Sequence, residues 1–188
     1  MTQASAIPPK RTTRSGAWLA APLVAFALVA LTVGLLARQS EVGPSTYFDL
    51  FFSDTIHMKA WLATGAAALA VFQIFSAAWM FGKLPWRRPR WVARAHRWSG
   101  RFALLLTLPI AYHCIFQLGF QDATARTLAH SLLGSAVYGA FAAKILIVRL
   151  RRFPHWVLPT AGGLLFGTLI ALWYTSALWF FRLTGVSL

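Results

Sequence analysis

Five long apolar stretches separated by short polar ones run through the chain: roughly residues 17–37, 54–81, 98–120, 126–148 and 156–181. At about 1.5 Å of rise per residue, each can cross a hydrocarbon layer of about 30 Å. A spanning segment must satisfy its own backbone polar groups, so all five are predicted to be helices. The pattern contains no internal repeat and no low-complexity tract. Residues 1–15, with the paired prolines Pro8 and Pro9 and no apolar pattern, read as a disordered cytoplasmic tail. Residues 16–38 read as a first transmembrane helix and 54–182 as a four-helix transmembrane core. The first stretch follows a basic segment, as a signal peptide does. It is long enough to span, however, and no small-x-small cleavage site follows, so it is expected to be retained.

Composition strengthens this picture. Of 188 residues, 58% are hydrophobic and 12% charged, against about 25% charged in a soluble domain. One soluble core of this length could not hide so much apolar surface. The expected class is an all-α integral membrane protein with five transmembrane helices.

The net charge of +14 is distributed as a membrane protein distributes it. With the N-terminus inside, the cytoplasmic segments hold Lys10, Arg11 and Arg14; then Lys83, Arg87, Arg88, Arg90, Arg94, Arg97 and Arg101; then Lys144, Arg149, Arg151 and Arg152. Only Arg38, Lys59, Arg126 and Arg182 fall outside, together with all four acids, Glu41, Asp49, Asp54 and Asp122. The positive-inside rule then sets the orientation in a plasma membrane and puts the C-terminus outside. Short basic runs between apolar segments meet anionic lipid, so the partner implied by charge is membrane lipid and not nucleic acid. Trp86, Trp91 and Trp98 alternate with arginines in the second inner segment. That is the composition of an interfacial belt or, alternatively, of a docking surface for a soluble partner. The single cysteine, Cys114, allows no intramolecular disulfide and is expected to be a buried thiol.

The polar groups left to explain are five histidines: His57, His96, His113, His130 and His155. Ionisable side chains at membrane depth are costly and mark function by default, although terminal ones such as His57 and His155 also suit an interfacial role. The hairpin between the third and fourth stretches turns near Gln121 and Asp122. His113 and His130 each lie about eight residues from that apex, which puts both about 12 Å below the outer end. Two imidazoles at matched depth on facing helices suit axial ligation of a haem iron. Gly134 follows His130 at i+4, and Gly100 follows His96 at i+4. A glycine on the histidine's face either clears room for a porphyrin plane or serves ordinary small-residue helix packing. Pro109, four residues before His113, either aims that ring or shapes the bundle. His96 and His155 near the inner ends are candidate ligands of a second haem. Arg97 and Arg101 would then lie near its propionates, and Lys59 and Arg126 near those of the outer haem.

Other chemistries are poorly served. No zinc-like group of three or four ligands is evident, and no carboxylate sits at a helix centre as proton-coupled transport usually requires. Without a CxxCH motif, any haem is non-covalent and of b type.

The segment HRWSGR, His96 to Arg101, resembles the H-R-x-x-G-R of cytochrome b-561-like bacterial membrane b-type cytochromes. YHC, AHSLLG and YGAFAAK are similar to a group of small actinobacterial membrane proteins, some encoded near Rieske iron–sulfur proteins. The resemblance covers roughly residues 54–181. It implies a four-helix core holding one or two haems b, with His57 and His130 on the outer haem and His96 and His155 on the inner one. His113 is additional to that pattern and lies deeper than His57. The implied role is electron transfer, as a transmembrane oxidoreductase or its subunit, because bis-histidine ligation leaves no open iron position. The donor would be a quinol or small reductant, and the acceptor an outer iron–sulfur or cytochrome partner. The competing expectation is a haem-free accessory or scaffold subunit of a redox complex.

Overall fold

A computed structural model describes residues 17–40 and 47–186. The expected tail 1–15 and Glu41 lie outside the described residues. Among the described residues, five helices are long and apolar enough to cross a membrane, so the chain is a multi-pass membrane protein. No strand occurs among the described residues.

α1 spans Ala17–Gln39, α2 Thr55–Met80, α3 Val92–Tyr112 and α4 Ala125–Leu150. α5 spans Val157–Trp173, and α6, Trp179–Thr184, continues its line. α3 runs on through a π turn at His113–Gln117, and a second π turn, Tyr174–Leu178, joins α5 to α6. α3 begins six residues before the apolar stretch that predicted it, because the basic segment after Pro89 is already helical from Val92. His96 and Arg97, just before that stretch, therefore sit on the helix with Arg101.

The starts of α2 and α4 are capped by side chains. Asp54 accepts the backbone N–H groups of Ile56 and His57 at 2.8 Å each. Thr124 forms a reciprocal capping box with Thr127. Each cap satisfies backbone donors that a helix start leaves unpaired. The starts of α3 and α5, at Trp91 and Trp156, have no side-chain cap.

Helix packing follows the order α3–α2–α5–α4–α1, with α1 reaching the π turn of α3. α3 and α4 are consecutive but hardly touch directly. α1 covers the gap between them. Its approach to α4 is close because small residues line it: Gly34 faces Ser135, and a Cβ on Gly139 would stand 2.6 Å from the Phe26 carbonyl oxygen. The Phe120 N–H also donates to the Ala37 carbonyl at 2.9 Å, tying the α3–α4 connection to α1. The first helix, expected to stand apart from a four-helix core, is thus part of the bundle wall. Ala66, Ala70, Val137, Leu165 and Leu169 form the apolar core at mid-depth.

Candidate functional site

The gap between α3 and α4 widens beyond that core into a cavity of about 360 Å³ in the half of the bundle that holds the α3–α4 connection. This is within the range of small-molecule sites, about 300–1,000 Å³. Its walls come from all five spanning segments, with α1 giving Val33 and Ala37. The lining is largely apolar. Against it stand His130, Lys59, Arg126 and Cys114, and among the described residues no lining side chain is acidic.

His130 is the best-placed of the sequence candidates. Its ring Nδ1 lies 3.2 Å from the Thr175 hydroxyl on the π turn of α5. That hydroxyl donates to the Ala171 and Leu172 carbonyls at 2.9 and 3.1 Å. A hydroxyl has one proton, and carbonyls can only accept. With its proton on a carbonyl, Thr175 Oγ1 keeps lone pairs that can accept a His130 Nδ1–H, the direction depending on the tautomer of the ring, and His130 lines the cavity. Gly134, one turn on, faces the same space: a Cβ there would meet nothing within 4 Å.

Arg126 extends the arrangement. Its Nη1 donates to the Thr175 carbonyl at 2.8 Å, and its guanidinium lies over the Trp179 ring at 3.9 Å. π turns interrupt the regular helix ladder and recur at functional sites. Here one gives Arg126 a carbonyl and His130 a hydroxyl from adjacent atoms of the same residue. Lys59 lines the opposite wall, on α2. Tyr138 crosses the gap to donate to the Thr107 carbonyl at 3.1 Å. Cys114, expected as a buried thiol, is on the cavity wall and half-buried.

His113 is not on the cavity. Its side chain is fully buried against the segment preceding α2. Nδ1–H donates to the Pro109 carbonyl at 2.9 Å, and Nε2 accepts the Phe48 N–H at 3.2 Å. Tyr47 stacks on the ring with centroids 5.7 Å apart, and Phe48 packs at 4.4 Å. The matched depth of His113 and His130 does not make them partners, because α3 and α4 are separated by the cavity and His113 turns toward residues 47–48. Pro109 does aim His113, but through its carbonyl and toward a loop. His57 forms an ion pair with Asp54 at 2.7 Å and meets Phe180, a cavity-lining residue, edge-on at 5.0 Å.

The inner candidates are dispersed. His96 Nδ1 lies 2.8 Å from the Ser76 hydroxyl on α2. Gly100, which spacing made a candidate clearance for a porphyrin, has the Gln73 amide where its Cβ would be, at 3.3 Å. His155 is exposed beside Phe81, Ile147 and Arg151 at a separate cavity of about 370 Å³ that His96 does not line. Arg97 and Arg101 are exposed, and the Arg101 guanidinium lies over Trp98 at 4.9 Å. Among the described residues, no three metal-ligating side chains gather at one point.

Sequence reasoning missed Thr175. A hydroxyl four residues after Ala171 on an apolar helix is usually satisfied by its own backbone. Only its matched depth with His130 would have singled it out.

The chain belongs to the family of unknown function DUF6529, which matches residues 19–188. Comparisons with curated proteins and with solved structures find no match.

Proposed function

We propose that the protein is a b-type cytochrome of the plasma membrane, with a single non-covalent haem in the outer cavity whose iron His130 would hold. The observation that carries this reading is the His130 ring: anchored at Nδ1, it offers Nε2 to a roomy, mostly apolar cavity beside a side-chain-free Gly134. Metal-ligating histidines commonly make such an anchoring bond through the other ring nitrogen. Lys59 and Arg126 supply positive charge for the propionates, with no acid among the described lining residues to oppose them. The apolar lining excludes water. Bound haem supplies a one-electron iron couple, tuned by ligand, burial and hydrogen bonding.

The residues fit on the His130 side. On the far side the histidine packed against a lining residue is His57, through Phe180, which supports the pairing of His57 with His130 over that of His113 with His130. The inner set of His96 and His155 has no shared cavity, so this reading holds one haem and not two. The basic segments face the cytoplasm, the haem lies toward the outer face, a quinol or small reductant donates, and an outer iron–sulfur or cytochrome protein accepts.

The test is optical. Protein purified from haem-supplied cells is expected to show a sharp Soret band and, on reduction, a b-type α band. His130→Ala abolishes both; His113→Ala keeps them. A colourless wild-type preparation sinks the proposal.

One observation favours a second reading, a haem-free accessory subunit. His57, His96, His113 and His130 all have protein partners that give them structural work. A stable, colourless protein would support it.

A further inference from the structure

We infer that Thr175 is the positioning residue of the outer cavity, selecting the tautomer in which His130 presents an unprotonated Nε2. This rests on reading the cavity as a ligand site, but its central claim concerns the protein alone.

The unperturbed imidazole has two tautomers, and a hydrogen bond at one nitrogen decides between them. Thr175 can make that decision because its own proton is committed to the Ala171 and Leu172 carbonyls. It is left as an acceptor, 3.2 Å from His130 Nδ1. Had the hydroxyl been free to turn, it could donate to Nδ1 instead and leave the proton on Nε2, closing the ring to a metal. The π turn at Tyr174–Leu178 carries Thr175. Arg126 holds the same residue by its carbonyl, at 2.8 Å, while stacking on Trp179. Arg126 and His130 are one helical turn apart on α4, so they share a face and grip Thr175 together. The ligand class that follows is a Lewis-acidic metal centre or a hydrogen-bond donor, not a hydrogen-bond acceptor.

The experiment is nitrogen-15 NMR of histidine-labelled, haem-free protein in detergent at a pH where the imidazoles are neutral, with the His130 signals assigned by their loss in His130→Gln. The wild type is expected to show His130 protonated at Nδ1, and Thr175→Ser to keep that signature. Thr175→Val is expected to move the proton toward Nε2 and to weaken haem retention by about 10–100-fold. A wild-type His130 protonated at Nε2 overturns the inference, as does a folded Thr175→Val with an unchanged Nδ1–H signal. Should Thr175→Val fail to fold, the wild-type and serine spectra still decide. A colourless protein with Nδ1-protonated His130 refutes the haem while leaving Thr175 in its role.

Discussion

Each half of the bundle holds a histidine followed four residues later by a glycine, and in each half a hydroxyl on a neighbouring helix lies beside the histidine's Nδ1. In the half with the cavity, His130 meets Thr175 at 3.2 Å; in the other half, His96 meets Ser76 at 2.8 Å. Both hydroxyls donate to their own helix backbone, Thr175 to Ala171 and Ser76 to Phe72. What differs is who occupies the space the glycine leaves. Above Gly134 it is open, and above Gly100 it holds Gln73. The Gln73 amide donates to the His96 carbonyl and to Ser99 Oγ, so it stitches α2 to α3. The same spacing makes a cavity wall in one place and a helix junction in the other. Room beside a histidine is set by the neighbouring helix, not by the glycine.

The comparison breaks first, and most visibly, at the histidines. His130→Ala is expected to remove all haem absorbance while His96→Ala leaves it intact; the reverse result would move the site inward. Next come the glycines. Gly134→Leu fills the cavity and is expected to eliminate haem binding without lowering the thermal midpoint. Gly100→Leu must displace a doubly bonded Gln73 and should cost about 1–3 kcal/mol, as overpacking does, with haem retained. Equal effects of the two leucines on haem would erase the distinction between the halves. Gln73→Leu sharpens it further. It removes two inter-helix donations and should cost about 1 kcal/mol in thermal unfolding, without altering the absorbance spectrum.

The smallest expected effect concerns helix starts. The His57 N–H bonded to Asp54, followed by the other contacts with His57 and Ile56, holds the Asp54 carboxyl below its ordinary value of 3.8. A lowered folded-state value stabilises the protein fully above the ordinary value, and that stabilisation is lost as pH falls through the folded one. Asp54→Asn should therefore flatten the acid limb of a plot of thermal midpoint against pH. Thr124→Ala at the neutral cap of α4 should lower the curve evenly at all pH values. Each cap is worth about 1 kcal/mol or less at so exposed a position. If Asp54→Asn leaves the acid limb unchanged, the carboxylate cap contributes nothing that pH can remove.

The number of spanning helices and their helical nature were legible in the sequence alone, because a bilayer leaves few choices. Twenty apolar residues must form a helix, and hydropathy needs no knowledge of neighbours. Lys59, Arg126 and Gly134 were legible as companions of His130 because helical spacing and depth are one-dimensional quantities. Lateral arrangement is not. Consecutive helices α3 and α4 were expected to face each other, yet a cavity lies between them, with α1 covering the gap and Tyr138 bridging it. That turned His113, at the right depth, toward Phe48, and put Cys114, beside it in sequence, on the cavity wall. Tertiary structure alone also brought Thr175 to His130 across 45 residues of chain. Side-chain direction around a helix and the partner met there depend on inter-helix packing, which apolar sequence constrains only weakly when lipid and protein interior are equally apolar.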